Sequence, residues 1–176
     1  MIIVETPFKG AWLVDLRKNA DFRGFFARVY CHNEFREIGI DEKIAQINSS
    51  YSHKKGTLRG LHYQTEPYEE IKMVRCIQGA IFDVIIDLRP DSKTYCQWYG
   101  VELSADNRTS LIVPKGCANG YQTLFDDTET IYFVTEFYSP EHEGGIRWND
   151  PLFNIKWPIS DPIISDKDKS FPDFKP

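Results

Sequence analysis

The stretch "GAIFDVIIDLRP", residues 79–90, alternates Ile81, Asp83, Ile85 and Asp87 against Phe82, Val84, Ile86 and Leu88. A period of two marks a β-strand, because successive side chains leave a strand on opposite faces. Four more β-rich runs follow: "WYGVELS" (98–104), "SLIVP" (110–114), "ETIYFVTEFYSP" (129–140) and "NIKWP" (154–158). Turn signals such as "RPDS", "SADN", "PKG" and "DD" punctuate the chain. Helical periodicity is confined to "HNEFREIG" (His32 to Gly39, with Gly39 as a stop) and to a single turn at "SADN". Short strands at this spacing, with no long helix between them, predict an all-β sandwich or barrel. A length of 176 residues fits one domain. The tail, residues 159–176 with "SDKDKSFPDFKP", is polar and Pro-containing, and is expected to wrap the surface or fold back onto a site.

The net charge of −5 is modest and the basic residues are scattered, which argues against a nucleic-acid surface. An anionic ligand would therefore be held by individual arginines and lysines. No window is apolar for long enough to span a membrane. "MIIVETPFKG" lacks a basic region followed by a long apolar core, so no signal peptide is expected. Cys31, Cys76, Cys96 and Cys117 form no CxxC pair and read as reduced, mostly buried thiols of a cytoplasmic protein.

In "LRGLHYQ", His62 stands between Leu61 and Tyr63, and could be a metal ligand, a catalytic base or a core histidine. Histidines inside a double-sheet barrel suggest the cupin superfamily. Its metal-binding members carry His-x-His, and a further histidine after a Pro-x-Gly turn. Here those places read His62-Tyr63-Gln64 and, in "PKGCANGY", Asn119. Amides are poor ligands for the metals imidazole prefers, so no metal site is expected. His32, His53 and His142 lie in polar contexts.

Taken in order, "DFRGFF" (21–26), "QINSSYS" (46–52), "LRGLHYQ" (58–64), Lys72, "DVIIDLR" (83–89), "PKGCANGY" (114–121), "YFVTEFYSPEHEGGIRWND" (132–150), "IKWP" (155–158) and "SDKD" (165–168) resemble the dTDP-4-dehydrorhamnose 3,5-epimerase family along almost the whole chain. The resemblance implies a cupin-like double-sheet β-sandwich, or jelly roll, with a few short helices. It also implies no cofactor, and a homodimer in which residues 1–30 help complete the neighbour's site. The substrate would be a nucleoside-diphosphate sugar with a ketone at C4, deprotonated at C3 and C5 through an enolate. Such a carbon acid has a pKa of roughly 19 against about 6.5 for histidine, a gap of about 17 kcal/mol. A base alone cannot close that gap; a cation at the enolate oxygen and an acid on the opposite ring face are needed.

By resemblance, His62 is the base and Asp168 its dyad partner, Lys72 faces the C4 oxygen, and Tyr132 is the acid. Arg59 matches a diphosphate contact and Tyr138 an aromatic near the nucleotide. Gln46 and Asn48 match segments shaping the base and ribose pocket, as do Arg23 and Phe26 from the partner chain. Without the resemblance, Lys72 is an ordinary strand lysine, Tyr132 a strand aromatic and Arg23 a surface charge. Two positions depart from the family: Arg28 replaces the usual glutamate, and Asn119 the usual histidine. Asn119 can still donate to a phosphate or a backbone oxygen. Asp83 shares a face with Asp87 and, if buried, has to be paired. An epimerase acting at one carbon, or a ketoisomerase, on a related CDP-linked sugar uses the same geometry. A pure sugar-nucleotide binder has no need of a paired base and acid.

Overall fold

A computed structural model describes all 176 residues, Met1–Pro176. In chain order the strands are β1 (Ile2–Glu5), β2 (Trp12–Asp15), β3 (Asn19–Asp21), β4 (Gly24–Phe26), β5 (Gln46–Ser52), β6 (Thr57–Gln64) and β7 (Lys72–Gln78). They continue as β8 (Ala80–Asp87), β9 (Trp98–Ser104), β10 (Ser110–Val113), β11 (Cys117–Thr123), β12 (Thr128–Val134), β13 (Glu143–Gly145) and β14 (Ile163–Ile164). Two short helices interrupt them, α1 (His32–Arg36) and α2 (Asp166–Lys169). Six strands form one sheet in the order β1-β2-β10-β7-β12-β5. The second sheet runs β13-β6-β11-β8-β9, with β14 added beside β6, and β3–β4 stand apart as a hairpin.

The alternation of β8 works on both faces. Ile81 and Ile85 pack with Val74, Cys76, Leu111 and Tyr121 between the two sheets. Val84 and Ile86 point the other way, joining Leu61, Ala118, Ile146 and Phe153 under a cover that includes Trp157 and Phe174. The outer face of the first sheet is closed by Phe35 and Ile40 over Val14, Met73 and Ile112. A fully buried Leu or Ile contributes roughly 1.5–3 kcal/mol, so these three clusters hold the layers together.

Three local expectations change. The strand expected across 129–140 ends at Val134. The expected helix stops at Arg36, and hydrogen-bonded turns carry the chain to Gly39, whose φ of +84° ends it. "NIKWP" joins no sheet. Its apolar residues Ile155 and Trp157 pack onto the second sheet's outer cluster, and the Trp157 indole donates to the Trp148 carbonyl at 2.8 Å. All four cysteines are free; burial pushes the Cys76 thiol up to about 11 and Cys117 up to about 12. No helix is long and apolar enough to cross a membrane.

The tail is fastened at several points. Gln122, fully buried, donates its amide to the Ile159 carbonyl and accepts the Ile159 N–H, both at 2.9 Å. β14 pairs in parallel with the start of β6, and the Phe174 N–H donates to Asp150 at 2.6 Å. Gln122→Ala strands two backbone groups and opens a cavity. It is expected to lower unfolding free energy in urea by roughly 2–4 kcal/mol. A loss below about 0.5 kcal/mol, within the range of an ordinary surface change, would show that this amide pair does not hold the tail.

Candidate active site

Between the sheets lies a cavity of about 520 Å³, lined from the first sheet by Ser50, Lys72, Val74 and Tyr132. The second sheet contributes Arg59, His62, Asn119 and Tyr121, and the tail closes it with Ile163, Ser165, Lys167 and Asp168. A second cavity of about 410 Å³ shares His62, Lys72 and Tyr132, and adds Gln46, Asn48, Glu70, Tyr138 and Glu143. Together they suit a ligand larger than a simple sugar.

The His62 wall is built by an unusually close strand approach. Gly60 has φ +120°, and a Cβ there would lie 2.6 Å from the Gly120 Cα. That contact lets β6 and β11 bulge between Asn119 and Tyr121. From the tail, Ser165 caps α2 by accepting the Asp168 N–H at 3.1 Å. Asp168 then places Oδ1 2.8 Å from His62 Nε2 and accepts the Gly60 N–H on Oδ2 at 3.1 Å. Burial acts to raise the Asp168 carboxyl, but the bonds from His62 and Gly60 outweigh it and hold it below its ordinary value. A carboxylate at Nε2 fixes the proton there, leaving Nδ1 as the basic nitrogen. Phe171 meets the imidazole edge to face, with ring centroids 5.8 Å apart.

Across the cavity, Lys72 Nζ is 3.2 Å from Glu70 Oε1, with each side chain 16% exposed. The same ammonium lies 5.8 Å from the centre of the Tyr132 ring. Burial raises the Tyr132 phenol above its ordinary value, with Tyr121 and Glu70 adding to the effect. The phenol is therefore a proton donor at neutral pH. An imidazole open to the cavity and backed by a buried carboxylate on one wall, with an ammonium and a phenol on the other, is equipped to move protons at carbon.

The sequence profile of the dTDP-4-dehydrorhamnose 3,5-epimerase family matches residues 5–176. The chain belongs to that family. Its relative from Shigella flexneri, a dTDP-4-dehydrorhamnose 3,5-epimerase, is 42% identical over 169 residues, covering 96% of this chain and 93% of that protein. The crystal structure of the Bacillus anthracis enzyme with TDP and PPi bound superposes with a TM-score of 0.93 at 46% identity, covering 97% of this chain and 98% of that one. The Legionella pneumophila enzyme in complex with dTDP-4-keto-L-rhamnose gives 0.90 at 35% identity, covering 97% and 90%.

Within this epimerase fold the other expected residues divide into two groups. Arg59 lines the cavity, with Nε on Ser52 Oγ at 3.2 Å and one Nη on the Tyr51 carbonyl at 3.0 Å, leaving its second Nη without a protein partner. Gln46 accepts the Tyr138 N–H at 2.9 Å, and Asn48 sits opposite Tyr132 in the strand register. Asn119 spends both amide hydrogens inside the protein, on Asp83 Oδ1 at 2.7 Å and the Val84 carbonyl at 3.1 Å, so none is left for a phosphate. Arg23 and Phe26 do not reach the cavity of their own chain. They stand on the β3–β4 hairpin, where Arg23 pairs with Asp21 and Phe26 is 72% exposed. Arg28 pairs with Glu34, which also binds the Met1 amino group.

Sequence reasoning passed over Glu70, Glu143, Lys167 and Phe171. Glu143 binds both Lys167 at 2.6 Å and the Tyr138 hydroxyl at 2.7 Å. The one signal available was position: Lys167 adjoins Asp168, and Glu70 lies two residues before Lys72.

Asp83 is fully buried, with Asn119 as its single side-chain donor and Oδ2 unpartnered. Burial pushes its carboxyl up to about 7, against the pull of Asn119, Lys72 and a backbone bond from Val84. The folded-state value lies above the unfolded one. Its contribution to stability is therefore complete below pH 3.8 and is lost as pH rises towards 7. At 1.36 kcal/mol per pKa unit the loss is on the order of 4 kcal/mol at most. Asp83→Asn is expected to raise the melting temperature at pH 8.5 and to leave it nearly unchanged at pH 4. Equal shifts at both pH values would show that the carboxyl does not titrate with folding.

Proposed function

We propose that this chain inverts C3 and C5 of dTDP-4-dehydro-6-deoxyglucose, giving dTDP-4-dehydrorhamnose by proton removal and return through an enolate. The observation that carries the reading is the His62–Asp168 pair on one wall of a cavity whose other wall holds Lys72 and Tyr132. His62 Nδ1 takes the proton next to the ketone, and Asp168 stabilises the imidazolium that forms. The Lys72 ammonium meets the oxygen on which charge develops. Tyr132 returns a proton to the opposite ring face. Arg59 holds the diphosphate, and Tyr138 with Gln46 and Asn48 receives the nucleotide. No step calls for a metal. Gln64 and Asn119, where a metal-binding cupin has histidines, are tied into bonds with Tyr68, Phe137, Ser139, Asp83 and Val84.

The test follows deuterium from solvent into dTDP-4-dehydro-6-deoxyglucose with a chelator present throughout, resolving C3 from C5 by NMR. Wild type is expected to exchange and invert at both carbons; exchange at one alone would make it a single-carbon epimerase. His62→Ala is expected to lose exchange by roughly 10²–10⁴-fold while still binding nucleotide, and Asp168→Asn by roughly 10²-fold. Tyr132→Phe removes only the hydroxyl, so exchange on the original face continues while inversion falls much further. Parallel loss of exchange and inversion in Tyr132→Phe would mean that the phenol helps form the enolate, contrary to its assignment as the acid.

The site is completed by a second copy of the chain. The β3–β4 hairpin pairs with neither sheet; Arg108 stacks 5.0 Å from the centre of its Phe25 ring, and it presents Phe22 at 98%, Phe26 at 72% and Phe25 at 42% exposure. Such an apolar finger suits a groove on a neighbour, and an isologous pair is the commonest assembly. Light scattering at micromolar concentration is expected to give a dimer, and Arg23→Ala to raise KM with little change in kcat. A fully active monomer would remove the shared site.

A further inference from the structure

The tail meets His62 at two points, and the proton-transfer chemistry uses only one of them. Asp168 takes Nε2, and Phe171, three residues further on, brings its ring 5.8 Å from the imidazole centroid at an interplanar angle of 72°. Phe171 lines neither cavity, so it does not touch substrate. Any part it plays in the reaction therefore passes through His62.

Strand register makes a place for this ring. Leu61 and Ile146 exchange both backbone hydrogen bonds, the Ile146 N–H to the Leu61 carbonyl at 2.9 Å and the Leu61 N–H to the Ile146 carbonyl at 3.3 Å. The next pair along, His62 and Gly145, is therefore a non-hydrogen-bonded pair, the kind in which opposed side chains approach most closely. A side chain at position 145 would lie against the imidazole, and glycine leaves that space vacant. Left-handed backbone does not call for the glycine, since its φ is not positive. A Cβ on it would lie 2.2–2.3 Å from three carbons of the Phe171 ring, Cζ, Cε1 and Cε2. Phe171 thus stands in the slot that a cross-strand neighbour of His62 would otherwise fill. At the adjacent pair, Gly144 is covered by the ring of its own register partner, Tyr63. At Gly145 the partner is His62, and the tail supplies the cover.

An imidazole bonded only at Nε2 can still swing about that bond, and the swing changes where Nδ1 points. We propose that Phe171 is a positioning residue for His62: by filling the Gly145 slot it holds the imidazole plane, so that Nδ1 is aimed into the cavity while Nε2 stays on Asp168. The kinetic consequence rests on the epimerase reading; the packing of Phe171 on His62 does not.

The experiment compares Phe171→Ala, Phe171→Leu and Gly145→Ala by steady-state kinetics, and by nitrogen NMR of the His62 imidazole without substrate. Phe171→Ala is expected to lower kcat about 5- to 20-fold with KM within about twofold. KM holds because Ile163, Ser165 and Lys167 of the tail line the cavity and stay in place. Phe171→Leu refills the slot and is expected to come within about threefold of wild type. Gly145→Ala evicts the ring and is expected to match Phe171→Ala, and the variant carrying both changes to be no slower than either alone. In the spectra, wild type is expected to keep the neutral ring's proton on Nε2, and Phe171→Ala to draw the two nitrogen signals together as tautomers mix. Unchanged kcat, a KM that rises in step, no recovery in Phe171→Leu, multiplying losses in the double variant, unaltered imidazole signals or an unfolded Phe171→Ala would each overturn the proposal. A wild type that exchanges neither carbon would instead remove the epimerase reading, and the imidazole signals would still decide whether Phe171 orients the ring.

Discussion

The Asp168 carboxylate joins parts of the chain more than a hundred residues apart, taking His62 Nε2 on one oxygen and the Gly60 N–H on the other. The site depends on that bond. It sets which imidazole nitrogen is basic and closes the cavity from the tail side. The carboxylate cannot be supplied by the sheets. It arrives on a one-turn helix whose position depends on the Gln122 amide pair and on β14. Stability of the tail and competence of the base are thus one property.

The sandwich also places charge selectively. β8 sends two aspartates to the same interior face, and their environments differ sharply. At Asp87 burial opposes ionisation, but the Arg89 fork and two hydroxyls override it and hold the carboxyl far below its ordinary value. At Asp83 one amide and a lysine do not suffice, and the carboxyl titrates near neutrality. The first fastens the 89–97 loop to the barrel. The second lies behind Asn119, which lines the cavity, and keeps one oxygen unpartnered in the interior.

The alternation in "GAIFDVIIDLRP" and the turn-separated runs were enough to read an all-β sandwich or barrel, since a period of two leaves no other regular structure; the family resemblance chose the sandwich. Where the reading went astray, at "NIKWP", the residues are as β-prone as any strand, but tertiary packing claims their side chains and leaves the backbone outside the sheets. The candidate site was legible only through the resemblance carried by ordered motifs. Taken singly, Lys72 and Tyr132 look like ordinary strand residues, and nothing local separates them from Lys54 or Tyr51.

The sequence by itself determined the strand pattern, the family, and the presence of amides where a cupin metal site has histidines. Those properties reside in residue identity and spacing. Tertiary structure decided which of the two interior aspartates is satisfied, that Asn119 turns its amide inward, and that Glu70 and Glu143 border the cleft. It also decided that Arg23 and Phe26 stand clear of their own chain's cavity. Each of these depends on distances between side chains far apart in sequence, set only when the two sheets close over a common core.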